Sequence, residues 1–194
     1  MCCGTKRLTE IACPSDCVYL AAAREHPPAV AVRRQKHDIG SVAKHMRDLS
    51  ERQLELFFLI VTFLLEYQPA ELGQLIDADV AEAAAAMAAT YETAARGVIY
   101  EHRATSLPAE RLAIGLKPML MELERSGGSV FQRDAAVVLR RVAAAADAGT
   151  TENAGNRRAF LDRIGRVIQA QKRDAPDPDD RGSKPDDDPR IIIP

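Results

Sequence analysis

The sequence predicts an all-α protein, a bundle of about six helices in one domain. Alanine, the strongest helix former, is abundant, and apolar residues recur at three- and four-residue intervals through most of the chain. No alternating strand pattern is found, and neither an Asn-Gly nor an Asp-Gly hairpin sequence occurs. The 194 residues suit a single domain, and 46% hydrophobic with 28% charged residues is an ordinary globular composition.

The first two helices are predicted on either side of a Pro-Pro pair. Residues 17–26 should form a short helix that ends at Pro27-Pro28, because proline cannot continue a helix. Residues 29–49 are ambiguous, since their first four could be extended. The helical spacing of the later apolar residues favours a helix there. Those apolar residues are Ile39, Val42, Met46 and Leu49.

The third helix contains the most apolar run of the chain. Ser50 and Gln53 form a capping box that opens it, and it should end near Tyr67. The apolar run covers residues 54–65, LELFFLIVTFLL, and includes Glu55. It is much shorter than the roughly 20 residues that cross a membrane. We therefore expect a buried helix at the centre of the bundle.

A long helix is predicted over residues 79–102. One apolar stripe at three- and four-residue spacing runs through this segment, which indicates a single buried face. Its alanines should let neighbouring helices approach closely. The stripe consists of Val80, Ala84, Met87, Tyr91, Ala95, Val98 and His102.

The next helix should open at Ser106-Pro108 and run to Arg125, with a kink at Pro118. The glycine pair Gly127-Gly128 should then break the helix. This prediction places a further helix after the two glycines.

A second capping box, Ser129 with Gln132, opens the helix after the break, and Gly149 is a suitable left-handed terminator for it. The last helix, residues 156–172, is amphipathic. One side carries Phe160, Leu161, Ile164, Val167 and Ile168, and the other side carries most of Arg157, Arg158, Arg163 and Arg166.

The chain divides into three regions on this interpretation. Residues 1–26 form a small cysteine-rich knuckle packed on the bundle, and residues 27–172 form the bundle itself. Residues 173–194 should be a disordered acidic tail, because aspartates and prolines leave little to bury. The sequence does not indicate a role for the terminal Ile191–Pro194.

The net charge and the amino-terminal sequence indicate which classes of protein to expect. The formal net charge of −2 does not indicate a strongly basic nucleic-acid-binding protein. No apolar signal-peptide run follows the first residues, so we expect the chain in the cytoplasm and away from membranes.

The amino-terminal segment carries a candidate metal site. All four cysteines lie within the first 17 residues, and the cytoplasm keeps thiols reduced, which favours a metal over disulfides. Pro14 and Ser15 can start a helix that brings the last two cysteines together near free backbone amides. We predict a closed tetrahedral zinc site with the ligands Cys2, Cys3, Cys13 and Cys17, and with His26 as a possible substitute ligand.

Three alternatives to zinc stay open, and one of them is acylation of Cys2 or Cys3 as a membrane anchor, which would leave Cys13 and Cys17 unexplained. Four cysteines also suffice for an iron–sulfur cluster, and adjacent Cys2 and Cys3 can share one ion only if the chain bends sharply between them. Ordinary reduced thiols are the third alternative, because paired Cys-x-x-Cys arms are absent.

Basic residues in the second helix give a further candidate surface. A nucleic acid or another anion could bind there, although a solvated helix face explains such charges at least as well. The residues are Arg33, Arg34, Lys36, Lys44 and Arg47.

Enzyme signatures are scarce in this sequence. No P-loop, dinucleotide-binding, zinc-protease or serine-nucleophile motif occurs, and no histidine has a glutamate three residues before it as di-iron bundles require. We therefore expect a non-catalytic, metal-stabilised interaction or regulatory protein whose partner is another protein or itself. An iron–sulfur or thiol-dependent redox enzyme and a nucleic-acid-binding regulator are the alternatives.

Overall fold

The computed structural model describes residues 29–69, 73–152 and 155–174, with 126–130 and 172–174 described by their backbone alone. The predicted cysteine-rich knuckle, the predicted short helix 17–26 and almost all of the predicted acidic tail lie outside the described residues.

Five helices and no strand occur within these described ranges, which confirms the predicted all-α class. The ambiguous segment after Pro28 is helical, as predicted. The last helix continues two residues past the predicted boundary at residue 172. The helices are α1 (Ala29–Met46), α2 (Glu51–Glu66), α3 (Asp77–Ala94), α4 (Leu107–Glu152) and α5 (Ala159–Asp174).

The capping box predicted at the start of α2 is confirmed. The backbone N–H of Gln53 donates to Ser50 Oγ at 3.4 Å, and Gln53 Oε1 accepts from the backbone N–H of Ser50 at 3.1 Å. The helix buries Phe57, Ile60 and their neighbours, but Leu59 is 47% exposed on the opposite side. The prediction that α2 occupies the centre of the bundle is therefore wrong, because one of its faces meets solvent.

Helix α3 ends at Ala94, eight residues before the predicted end. The chain turns at Gly97, whose φ of 80° is left-handed and therefore suits glycine. The backbone N–H of Val98 donates to the carbonyl of Thr93 at 3.0 Å and closes this turn. Val98 and His102, although in phase with the apolar stripe, thus belong to the connection that follows α3.

Helix α4 includes Gly127-Gly128, so the predicted break does not divide it into two helices, but it coincides with a reversal of the chain. A straight helix of its 46 residues would be about 69 Å long. Its two ends nevertheless lie beside the first turns of α3. The backbone N–H of Thr105, just before α4, donates to Glu82 at 2.6 Å, and Gly149 near the other end approaches Asp77.

The axis of α4 must therefore reverse between its ends, and side chains near its middle locate the reversal. Phe131 packs against Tyr91 with ring centroids 6.0 Å apart, and Gln132 donates to Glu124 at 2.7 Å. We call residues 107–125 the first arm and residues 131–152 the second arm of α4. The predicted glycine pair lies between these arms, where the chain folds back.

Helix α3 lies between the two arms and makes the most extensive packing in the fold. The core consists of residues from every helix, with α3 contributing small side chains such as Ala83, Ala84 and Ala88. Alanine allows the close approach that the sequence predicted. Helix α5 packs on α1, α2 and the second arm.

Gly149 is not a helix terminator, because α4 continues to Glu152. A Cβ at position 149 would lie 2.9 Å from Asp77 Oδ2 and 2.9 Å from the backbone nitrogen of Phe160. Glycine is thus required for close packing where three helices meet.

A buried carboxylate joins those three helices. Asp77, the first residue of α3, is 0% exposed, and its two oxygens accept from the backbone N–H groups of Phe160 at 2.8 Å and Leu161 at 3.2 Å. In return, the backbone N–H of Asp77 donates to the carbonyl of Arg157 at 2.8 Å. Asp77 therefore caps the amino terminus of α5 from a different helix, in the way that a local N-cap residue does. Burial raises the pKa of this carboxyl, despite the two amides that donate to it.

We expect Asp77→Ala to lower the free energy of unfolding by about 2 kcal/mol, because two buried amide N–H groups lose their acceptor. Asp77→Asn keeps one acceptor oxygen and should fall between the wild type and the alanine variant. Urea denaturation followed by circular dichroism measures both changes. Asp48→Ala is the control, since Asp48 is exposed and lies 3.7 Å from Arg141, and it should change stability by less than about 0.5 kcal/mol. Equal midpoints for Asp77→Ala and wild type would contradict the capping role.

Candidate functional site

Two buried charged side chains, Asp38 of α1 and Arg163 of α5, belong to one ionic network. Arg166 donates to both oxygens of Asp38, at 2.7 and 3.0 Å, and Arg163 donates to Ser41 and, at 3.2 Å, to Glu152. Burial opposes ionisation of Asp38, but the hydrogen bond and charge of Arg166 and the charge of Arg163 lower its pKa below the usual value. The network fastens α1 to α5 and to the end of α4.

Arg163 was predicted on the polar side of the last helix, and its burial corrects that prediction. It is 6% exposed, against 4% for Asp38. An arginine on a helix can be buried when a carboxylate from another helix neutralises it, and helical periodicity alone cannot reveal such a partner.

The five basic residues predicted as an anion surface are all exposed, either on α1 or in the turn after it. Arg33, Lys36 and Lys44 fall within an arc of about 80° on a helix. Arg47 follows in the turn after α1, and Arg34 lies about 100° away from Arg33. Lys44 also donates to Glu152 at 2.8 Å. We call Arg33, Lys36, Lys44 and Arg47 the basic face of α1.

The predicted metal ligands Cys2, Cys3, Cys13, Cys17 and His26 lie outside the described residues. Within the part of the chain that the structure describes, no group of three or more histidine, cysteine, aspartate or glutamate side chains is arranged to hold a metal ion.

The connection between α3 and α4 was not predicted, and it is firmly held. The hydroxyl of Thr90 accepts from the backbone N–H of His102 at 2.9 Å, and the hydroxyl of Thr93 lies 3.2 Å from the carbonyl oxygen of Tyr100. Glu101 pairs with Lys117 at 2.6 Å. These contacts fasten the connection to α3 on one side and to the first arm of α4 on the other.

Glu82 of α3 holds the end of the same connection. One oxygen of Glu82 accepts from the backbone N–H of Thr105 at 2.6 Å, from the Thr105 hydroxyl, and from the backbone N–H of Ser106 at 3.0 Å. Hydrogen bonds from Ser106 and Thr105 lower the pKa of Glu82 to about 2. The negative charge also suits the amino terminus of α4, where the helix dipole is positive.

This fastened connection presents apolar side chains to solvent. Val98, Ile99 and Tyr100 are all exposed, and Ile99 is exposed as fully as in an extended peptide, at 103%. Three consecutive exposed apolar residues are unusual at a surface, where single ones are normal.

A stripe on the first arm of α4 extends this patch. Leu107, Ile114 and Met121 are exposed and follow one another at seven-residue intervals, which places them on one side of the helix. Lys117, the partner of Glu101, lies one turn from both Ile114 and Met121, so the connection runs beside the stripe. We call Val98, Ile99, Tyr100, Leu107, Ile114 and Met121 the apolar surface.

The ring of His102 lies beneath the connection. It packs edge-on against Tyr100 with ring centroids 4.7 Å apart, and its Nε2 has no hydrogen-bond partner among the described residues. The contact orients the exposed tyrosine ring.

The predicted helix includes Val98 and His102 because both extend the apolar stripe of α3. The signal that could have corrected this was Gly97, a suitable helix terminator, followed by the β-branched pair Val98-Ile99. An apolar residue beyond such a glycine can be exposed as readily as buried.

Comparisons with protein-family models, with curated proteins and with solved structures found no match for this chain. Among the described helices, none is both long enough and apolar enough to cross a membrane.

We expect the stability of the wild type to fall as the pH drops from about 4.5 towards 2, in part because Glu82 is ionised in the folded protein down to about pH 2. The lowered folded-state pKa means that its contribution is present above the unfolded value of 4.5 and is lost through this window. Glu82→Gln keeps the accepting oxygen and loses the charge, so its stability should decline less across the window.

Urea denaturation at intervals between pH 7 and pH 2 measures this difference. The same substitution at the exposed Glu55 of α2 is the control for the loss of one carboxylate. Parallel pH profiles for Glu82→Gln and wild type would refute the role of this charge.

Proposed function

We propose that this chain is a non-catalytic interaction protein whose helical body binds another protein through the apolar surface. The observation that supports the proposal most directly is the full exposure of Ile99 on a connection that hydrogen bonds and an ion pair hold in place.

Burial of this surface would supply binding free energy. A fully buried isoleucine contributes about 1.5–3 kcal/mol, and aromatic residues such as Tyr100 are enriched among the residues that dominate interfaces. Because the connection is already ordered by Thr90, Thr93 and Glu82, little conformational entropy would be lost on binding.

Charges around the apolar surface indicate the character of the partner. Arg96 and Arg103 flank the exposed connection, and both are exposed. Lys117 is neutralised by Glu101 at the centre. A partner with an apolar pocket bordered by acidic residues would complement this arrangement.

We expect Ile99→Asp to abolish association while leaving the folded protein as stable as the wild type, since residue 99 makes almost no contact with the rest of the chain. Sedimentation velocity measures association with a second copy. A photo-crosslinking amino acid at position 99, used in cells that express the chain, identifies any other partner.

Val30→Asp is the matched control, because Val30 is also exposed but lies at the start of α1. A chain that is monomeric at high concentration and that gives no more crosslinked product at position 99 than at position 30 would contradict the proposal.

We further propose that the amino-terminal segment binds zinc through Cys2, Cys3, Cys13 and Cys17, with His26 as a substitute ligand. The support is the clustering of every cysteine in 17 residues, together with the preference of zinc for thiolates. Metal binding would couple to folding of this segment.

We expect one zinc ion per chain in protein purified without added metal, and a loss of that ion in Cys13→Ser/Cys17→Ser. Elemental analysis of both proteins measures the metal, and an absorption spectrum separates colourless zinc from a brown iron–sulfur cluster. The iron–sulfur result would favour the alternative of a redox enzyme. Protein free of both metals would leave ordinary thiols as the interpretation.

A second candidate function, nucleic-acid binding, is favoured by the basic face of α1. Its four side chains are all exposed, and the only acidic residue of α1, Asp38, is buried on the other side. Binding through phosphate contacts would weaken steeply as salt is added.

A further inference from the structure

The direction of α5 relative to α1 determines where the chain leaves the bundle. Arg166 of α5 contacts Asp38 of α1, and Arg163, three residues earlier, contacts Ser41, three residues later. The two helices are therefore antiparallel. By the same register, Asp174 at the end of α5 falls opposite the first turn of α1.

The sequence that follows α5 is acidic in two clusters. The first cluster contains Asp177, Asp179 and Asp180, and the second contains Asp186, Asp187 and Asp188. Three basic residues accompany these six aspartates between positions 175 and 194. This segment follows Asp174, which lies opposite the first turn of α1, the end of that helix nearest to Arg33 and Lys36.

We propose that residues 177–188 lie along the basic face of α1, with the first acidic cluster at Arg33 and Lys36 and the second at Lys44 and Arg47. The segment is an intramolecular competitor for any polyanion that approaches this face. The surface involved is distinct from the apolar surface, so the proposal does not depend on the interaction with a protein partner.

The spacing of the charges fits this arrangement. On a helix, the middle of the pair Arg33 and Lys36 lies about 16 Å from the middle of the pair Lys44 and Arg47. An extended chain covers up to about 26 Å between Asp179 and Asp187. The segment is therefore long enough to span both basic pairs, and its first cluster falls at Arg33 and Lys36 because Asp174 lies at their end of α1.

Tethering favours this occupant over a free one. A short flexible linker gives an effective concentration in the millimolar range, so weak charge pairs suffice for substantial occupancy. Lys44 already contacts Glu152 at 2.8 Å, and both side chains of that pair are partly exposed, so Lys44 can exchange between the two carboxylates.

Two full-length variants test the contact and its direction. Asp177→Asn/Asp179→Asn/Asp180→Asn should shift the backbone amide resonances of residues 33–36. Asp186→Asn/Asp187→Asn/Asp188→Asn should shift those of residues 44–47. Two-dimensional NMR of the 21.2 kDa chain measures both sets of shifts. Asp147→Asn, at an exposed position on the second arm, is the control and should leave α1 unchanged.

Salt provides a second measurement that needs no variant. In 1 M NaCl the wild-type α1 resonances should move to the positions seen in the combined six-asparagine variant, because exposed charge pairs are screened. Unchanged α1 resonances in both experiments would overturn the proposal. Shifts in the opposite order would overturn the proposed direction of the segment.

Competition with a polyanion is measured with a fluorescent single-stranded oligonucleotide at low salt. The six-asparagine variant should bind about tenfold more tightly than the wild type. Adding Arg33→Gln/Lys36→Gln to that variant should remove the gain, whereas Arg125→Gln/Arg133→Gln, the same change in charge at exposed positions on α4, should not. An oligonucleotide that binds none of these proteins would refute nucleic-acid binding as the second candidate function, whereas the NMR shifts report the intramolecular contact independently.

Discussion

Two carboxylates of α3 cap the amino termini of two other helices, and the rest of the structure depends on this arrangement. Asp77 accepts from the first turn of α5, and Glu82, little more than one turn further along, accepts from the residues that open α4. A helix amino terminus leaves backbone N–H groups without partners, and inside a protein such groups are costly. Helix α3 therefore determines where the following two helices begin.

The reversal of α4 follows from the same constraint. The first arm of α4 begins beside Glu82, and the second arm ends near Asp77, where Gly149 has no side chain to prevent close contact. Between these ends, the two arms enclose α3 and its alanines. The connection before α4 is held by Glu82 and by the threonines of α3, and this is why Val98, Ile99 and Tyr100 can stay exposed in a fixed position.

Sequence patterns predicted which segments are helical better than where those helices end, and they did not predict contacts between distant residues. The capping box of Ser50 needs only residues three apart, and it was predicted correctly. The cap that Asp77 provides joins residues 83 and 84 positions apart, and Asp38 meets Arg166 across 128 positions. Periodicity describes one helix at a time, so it carries no information about such partners. The proposed cysteine site is a prediction of the same local kind.

The distribution of charge links the described bundle to its exposed surfaces. In the interior of the bundle, Asp38 and Arg163 belong to one ionic network, so the acidic residue of α1 is already paired there. The outward side of α1 is thereby left basic, while the apolar surface lies on the connection between α3 and α4 and on the first arm of α4. The binding proposed for the first surface depends on charge and that proposed for the second depends on apolar burial, so added salt should weaken the first and leave the second largely intact.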